Sequence, residues 1–131
     1  MKTSVKIDAA AFKRTSDLCL RRALAKFGAY TRRRARSSIR KRKKISAPGA
    51  PPSGHTGALK NGILFAVEPD RLEVVIGPAL ARSNAAKILE RGGLGPNGET
   101  YRARPFMGPA FQKEIDASLV KIFTNCIRKT K

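Results

Sequence analysis

Residues 8–44 read DAAAFKRTSDLCLRRALAKFGAYTRRRARSSIRKRKK, and the period of that stretch decides the fold. Phe12, Cys19, Ala23, Phe27 and Tyr30 recur at spacings of three, four and seven, and Leu20 and Leu24 widen the stripe. That is the repeat of one face of an α-helix. Asp8, just ahead of Ala9-Ala10-Ala11, is placed to cap it. Gly28 weakens the pattern, but nothing breaks it before Pro48, so the reading predicts one helix from Asp8 to about Lys43, roughly 50 Å long at ~1.5 Å per residue. From Thr31 to Lys44 the chain carries nine positive charges in fourteen residues and no acid. Drawn as a helix, Arg32, Arg33, Arg36, Arg40 and Lys43 crowd one broad side, while Arg34, Lys41, Arg42 and Lys44 fill most of the rest. With no apolar stripe beyond Ile39 and Ile45, this half is not expected to bury itself in its own domain.

Outward from the helix, Ser4 to Ile7 read as an extended lead-in. On the other side lies SAPGAPPSGHTG, residues 46–57, whose prolines and glycines predict an irregular, partly stiff arm suited to reaching a neighbour. Gly57 to Asn61 fit a turn of helix. Ile63 to Val67 and Leu72 to Gly77 then read as two strands joined at Pro69-Asp70. Asn84 to Leu89 suggest a short helix stopped by Gly92-Gly93, followed by a glycine-rich surface loop through Gly98. Phe106, Ala110, Phe111, Leu119, Ile122, Cys126 and Ile127 outline an amphipathic final helix, with Glu114 as its polar exception and Pro109 tolerable only in the first turn. The predicted class is α+β: a long basic N-terminal helix, a small antiparallel sheet with a central hairpin, and a C-terminal helix packed on the sheet. Residues 1–131 are read as a single domain with the arm at about 46–57.

The formal net charge of +19 points to polyanionic partners: nucleic acid, an acidic protein or an anionic surface. No apolar run approaches the ~18 residues of a membrane span, and MKTSVKIDAAAF has no apolar core behind its lysines, so neither a signal peptide nor a membrane partner is expected. Cys19 and Cys126 are far apart and few, which predicts two reduced core thiols and no zinc site. The single histidine, His55, sits in the Pro/Gly arm with no acid or nucleophile beside it, and the nine acids lack metal-ligand spacing. RGGLGPNG lacks the Lys-Ser/Thr ending of a phosphate loop. No enzyme activity, catalytic residue, metal or cofactor is expected.

That leaves the basic run. Arginine forks onto phosphate oxygens, and each neutralised phosphate releases counterions. No helix-turn-helix or zinc pattern frames the run for base reading, and no aromatics interleave it for stacking on single strands. Arg32, Arg33, Arg34, Arg36, Arg40, Lys41, Arg42, Lys43 and Lys44 are therefore candidates for sequence-independent DNA contact or for docking on an acidic protein surface. A merely solvated face is the third reading.

The ordered segments GAYTRRRARSSIRKRKK, APGAPPSGHTGALKNGI, a hairpin ending VVIGP, KILERGG and RARPFMGPAFQKE resemble the neck and tail-completion proteins of long-tailed bacteriophages. These are the HK-type tail-component, or minor tail protein Z-like, family. The likeness runs from about Val5 to Ile127, and its most specific pieces are PPSGHTGALK and RPFMGPAF. It implies a virion structural protein, without catalytic activity, that forms a homo-oligomeric ring at the head–tail junction or head-proximal tail end. DNA passes through such a ring, which contacts other head-completion and tail proteins and is assembled in the bacterial host cytoplasm. Under that resemblance Pro51, Pro52, His55, Arg102 and Arg104 are candidate contacts between subunits. Thr56, Gly57, Leu59, Pro105, Phe106 and Met107 are structural: Thr56-Gly57 turn the arm into the sheet, and the apolar residues enter the core. The runner-up reading is a free-standing, sequence-independent nucleic-acid-binding protein using Arg32–Lys44.

Overall fold

The computed structural model describes residues 8–79 and 83–129. The lead-in at Ser4–Ile7 lies outside them, as does the side chain of Phe12. The spine is α1 (Ala9–Ser38), capped as predicted: the Asp8 carboxylate accepts from the backbone N–H of Ala10 and Ala11 at 3.1 and 3.0 Å.

The helix ends five residues before Lys43. The hydroxyls of Ser37 and Ser38 donate back to the carbonyls of Arg34 and Ala35 (2.9 and 2.7 Å), and Ile39 turns extended at φ −84°, ψ 104°. Serine hydroxyls that bond nearby carbonyls compete with continued helix. The chain instead enters β1 (Arg40–Lys41), which pairs in parallel with β2 (Ser53–Gly54). The arm thus contains a strand, where its composition predicted no regular element. It also lies against its own body: Gly49 N–H donates to Ala103 O (2.8 Å) and Pro52 is buried.

After α2 (Ala58–Asn61), β3 (Ile63–Glu68) and β4 (Glu73–Pro78) form the predicted hairpin, in register from Ile63↔Pro78 to Glu68↔Glu73. Its turn closes through Leu72 at φ 53°, which delays β4 by one residue. The alternation of a half-buried hairpin holds. Phe65, Val67, Val74 and Ile76 are partly covered, whereas Leu64 and Val75 stand half exposed on the outer side. β3 begins beside Arg32, whose Nε donates to Ile63 O (3.0 Å), and runs back along α1. At Gly28 the approach is so close that a Cβ would lie 2.7 Å from the Phe65 ring and 2.8 Å from Val74 Cγ2. The glycine that weakens the helix pattern is what lets the hairpin dock.

The next helix, α3 (Ser83–Arg91), stops where Gly92 adopts φ 75° and its N–H reaches Ile88 O at 2.7 Å. The glycine-rich segment is a second small hairpin, β5 (Gly93–Leu94) with β6 (Thr100–Tyr101), where an irregular loop was predicted. The single predicted sheet is therefore three separate two-stranded pairs, one of them parallel.

The closing helix comprises α4 (Met107–Glu114), a π-helical turn (Ile115–Leu119) and α5 (Val120–Arg128), with Pro109 in the first turn as required. It runs antiparallel to α1, with Glu114 at Arg34 and Ile122 against Ala23 and Phe27. Cys19 and Cys126 therefore meet: they are disulfide-paired, with a Cα–Cα separation of 5.6 Å, which corrects the expectation of two reduced thiols. Separation in sequence hid a contact that the antiparallel helices create.

Two apolar clusters result. One joins Ala35, Ile39, Ile63, Ala86, Phe106 and Ala110, with Leu59 and Met107 packed on it; the other joins Ala23, Phe27 and Ile122 with Val74, Ile76 and Leu119. The architecture is α+β, with a long N-terminal helix, small sheets and a C-terminal helix on the sheet.

Candidate nucleic-acid and partner interface

The basic run does not form one face. Thr31, Ala35 and Ile39, spaced four apart, are 0–1% exposed. This buried stripe overturns the expectation that the second half of α1 stays out of its own domain. The stripe was hidden because threonine and alanine do not register as apolar anchors amid arginines, although four-residue spacing alone places them on one face.

Burying that stripe commits the arginines flanking it. Arg32 is tied to the carbonyl of Ile63, as above, and Arg36 Nη2 donates to Asn61 Oδ1 (3.1 Å). Arg33 lies over the Tyr30 ring at 5.5 Å, with Lys26 Nζ at 5.9 Å from the same ring. Arg34 Nε donates to Glu114 Oε2 at 2.6 Å. Glu114 is 4% exposed and also accepts from the Ser118 hydroxyl. Its burial pushes the carboxyl up, but the bonds from Ser118 and Arg34 and the charges of Arg34 and Arg33 outweigh that, holding it below its ordinary value. Ser118 also donates to the Glu114 carbonyl, within the π-helical turn that follows.

Past Ile39 the environment changes. Arg40, Lys41, Arg42, Lys43 and Lys44 are all exposed, on β1 and the bend that follows it, and among the described residues no hydrogen bond or ion pair engages their side chains. Arg40 and Arg42 line a cleft of about 560 Å³ together with Arg34, Ser46, Pro52 and Lys113. The Ser46 hydroxyl there is buried without a hydrogen-bond partner.

The remaining candidates divide similarly. Pro51, His55 and Arg102 are exposed; Pro52 is buried, and Arg104 spends its Nε on Ser46 O (2.9 Å) within its own chain. Gly57 takes φ 76° and Thr56 Oγ1 accepts from Ala58 N–H (3.3 Å), so the turn expected to lead from the arm into the sheet leads first into α2. Leu59 and Met107 pack on the first cluster, Phe106 is 1% exposed within it, and Pro105 is half-buried.

Nothing in the local sequence singles out Glu90. Its carboxylate accepts from the backbone N–H of Phe106, Met107 and Gly108 at 2.9, 3.0 and 2.7 Å. Position 106, where α4 would take a capping side chain, holds a phenylalanine with nothing to offer, so α3 supplies the cap. Arg104 N–H also bonds Leu89 O (2.6 Å), fastening KILERGG to RPFMG twice. An acid two residues before a double glycine gave no signal, because the amides it serves lie 16 to 18 residues away.

Among the described residues no group of three or more His, Cys, Asp or Glu could hold a metal ion, and no helix is long and apolar enough to cross a membrane. No protein-family model, curated protein or solved structure matches this chain.

Proposed function

We propose that the chain is a structural component of a phage neck, a tail-completion protein that assembles as a ring at the head–tail junction in the virion and takes no catalytic part. The observation that carries the reading is the joint role of the segments on which the resemblance rests. KILERGG caps RPFMG through Glu90, Arg104 holds the arm at Ser46, and the arm pairs with β1, just past the end of α1. Segments far apart in sequence thus serve one junction. The hairpin β3–β4 supports assembly: it has two strands, open edges and exposed Leu64 and Val75. Such edges add a neighbour's strand readily, and a head-to-tail contact closes into a ring when its rotation permits.

The test is electron microscopy of lysates from a nonsense mutant in the native phage or prophage. DNA-filled heads beside separate or abnormally terminated tails are expected. Normally joined particles would refute the assignment.

A second reading is favoured by one observation, the five unengaged cations from Arg40 to Lys44. As a sequence-independent DNA contact they would neutralise ~5 phosphates, so affinity for a duplex would fall by about 10²–10³ between 50 and 200 mM salt. A flat salt dependence, or equal affinity after their neutralisation, excludes it.

A further inference from the structure

We infer that the acidic tip of the β3–β4 hairpin of one copy docks in the basic cleft between the end of α1, the arm and α4 of the next copy. This rests on the ring reading and names its contact.

The chain has 9 acids against 28 Lys and Arg, so acids without a nearby partner are conspicuous. Asp8 and Glu90 cap helices, Glu114 pairs with Arg34, and Glu99 and Asp116 accept from Tyr101 and Gln112. Of the four that remain, Glu68, Asp70 and Glu73 all sit at the hairpin tip, exposed and without a hydrogen bond or ion pair among the described residues. Glu68 and Glu73 face each other directly across the last rung. Like charges directly opposite on two strands are destabilising, and a cation from outside relieves them. Arg71 in the turn leaves the tip with a net charge of −2.

The cleft is the counterpart. Arg34 is committed to Glu114, but Arg40, Arg42 and Lys113 are exposed and unpaired at its mouth, and the unpartnered Ser46 hydroxyl lies in its wall. Its volume, about 560 Å³, is that of a ligand pocket, concave enough for the side chains of a projecting turn. A nucleic-acid duplex would reach only the rim.

The two features cannot meet within one molecule. β3 starts at Arg32 and passes Gly28, so the hairpin runs away from the C-terminal end of α1, where the cleft lies, and its tip is roughly 20 Å from the cleft along the helix axis. A convex patch at one end and a concave patch at the other form a head-to-tail contact. In a chain of charge +19, copies repel unless acid is set against base where they touch.

The experiment is sedimentation analysis of the full chain at about 50 mM salt, chosen because such pairs are screened at higher ionic strength. It uses a tip reversal (Glu68→Lys, Asp70→Lys, Glu73→Lys), a cleft reversal (Arg40→Glu, Arg42→Glu, Lys113→Glu) and the chain carrying both. All six positions are exposed, and circular dichroism with urea unfolding confirms that each variant folds. The wild type is expected to self-associate, each single reversal to weaken association at least about tenfold, and the combined chain to recover most of it. Binding of a 30-base-pair duplex is measured alongside.

A monomeric wild type, or failure of the combined chain to recover, overturns the contact. So does a cleft reversal that loses duplex binding while self-association is unchanged, since the cleft would then be a phosphate site. Assemblies insensitive to both reversals overturn the contact and leave the ring reading standing. Recovery by the combined chain, together with normal particles from the nonsense mutant, would keep the contact and remove the neck assignment.

Discussion

Arg32 to Arg36 and Arg40 to Lys44 are neighbours in one basic run but live in different physical surroundings. The first group flanks a buried stripe, and its members bond a strand carbonyl, an asparagine, a tyrosine face and a buried glutamate. The second stands beyond the helix in solvent with no side-chain partner among the described residues. The difference teaches that a dense run of charge is not one functional unit: part of it builds the fold, and only the remainder is free to meet another molecule.

The sharpest way to break this comparison is to remove the most committed arginine. Arg34→Ala leaves the Glu114 carboxylate buried without its cation, and unfolding in urea should show a loss of about 2–3 kcal/mol, discounted because the Arg34 side chain is 40% exposed. A loss within about 0.5 kcal/mol would mean that the pair is a surface ornament. The same pair carries a pH signature. Glu114 is held below its ordinary value of 4.5, so its contribution is complete above the unfolded value and disappears as pH falls through the lower folded one. Between pH 5 and the acid transition, wild-type stability should fall more steeply than that of Glu114→Gln; parallel curves would contradict the assignment.

Next in size is Gly28→Val. The added side chain meets Phe65 and Val74, and overpacking of this kind costs about 1–3 kcal/mol, more than the helix propensity regained. An unchanged melting curve would show that the hairpin is not held there. Glu90→Ala should follow at about 1–2 kcal/mol, since three amides at the start of α4 lose their acceptor. Faster hydrogen exchange at Phe106–Gly108 would localise the loss, and unaltered exchange would remove the cap. The smallest effect is expected where the charge is greatest: neutralising Arg40, Lys41, Arg42, Lys43 and Lys44 together should move stability by less than about 0.5 kcal/mol. A larger loss would place these cations with the fold rather than with a partner.

Much was legible from local pattern. The Asp8 cap, the helical period through Phe27, the hairpin with its alternation, the placement of Pro109 and the core roles of Phe106 and Met107 all follow from spacing and residue type. Where the reading failed, the deciding partner was remote. The helical period predicts a helix past Ser38 because it does not register two serine hydroxyls turned onto the backbone or a strand partner in the arm. The arm's composition suggested reach, yet Arg104 and Ala103 hold it down from about fifty residues away.

By itself, then, the sequence determined the sign and density of charge, the main helix and hairpin and the α+β class, because these depend on residues a few positions apart. Tertiary structure alone decided which arginines are spent, which acid caps α4, and that Cys19 meets Cys126. Those outcomes rest on hydrogen bonds and contacts spanning 16 to 107 residues, and no local period encodes them.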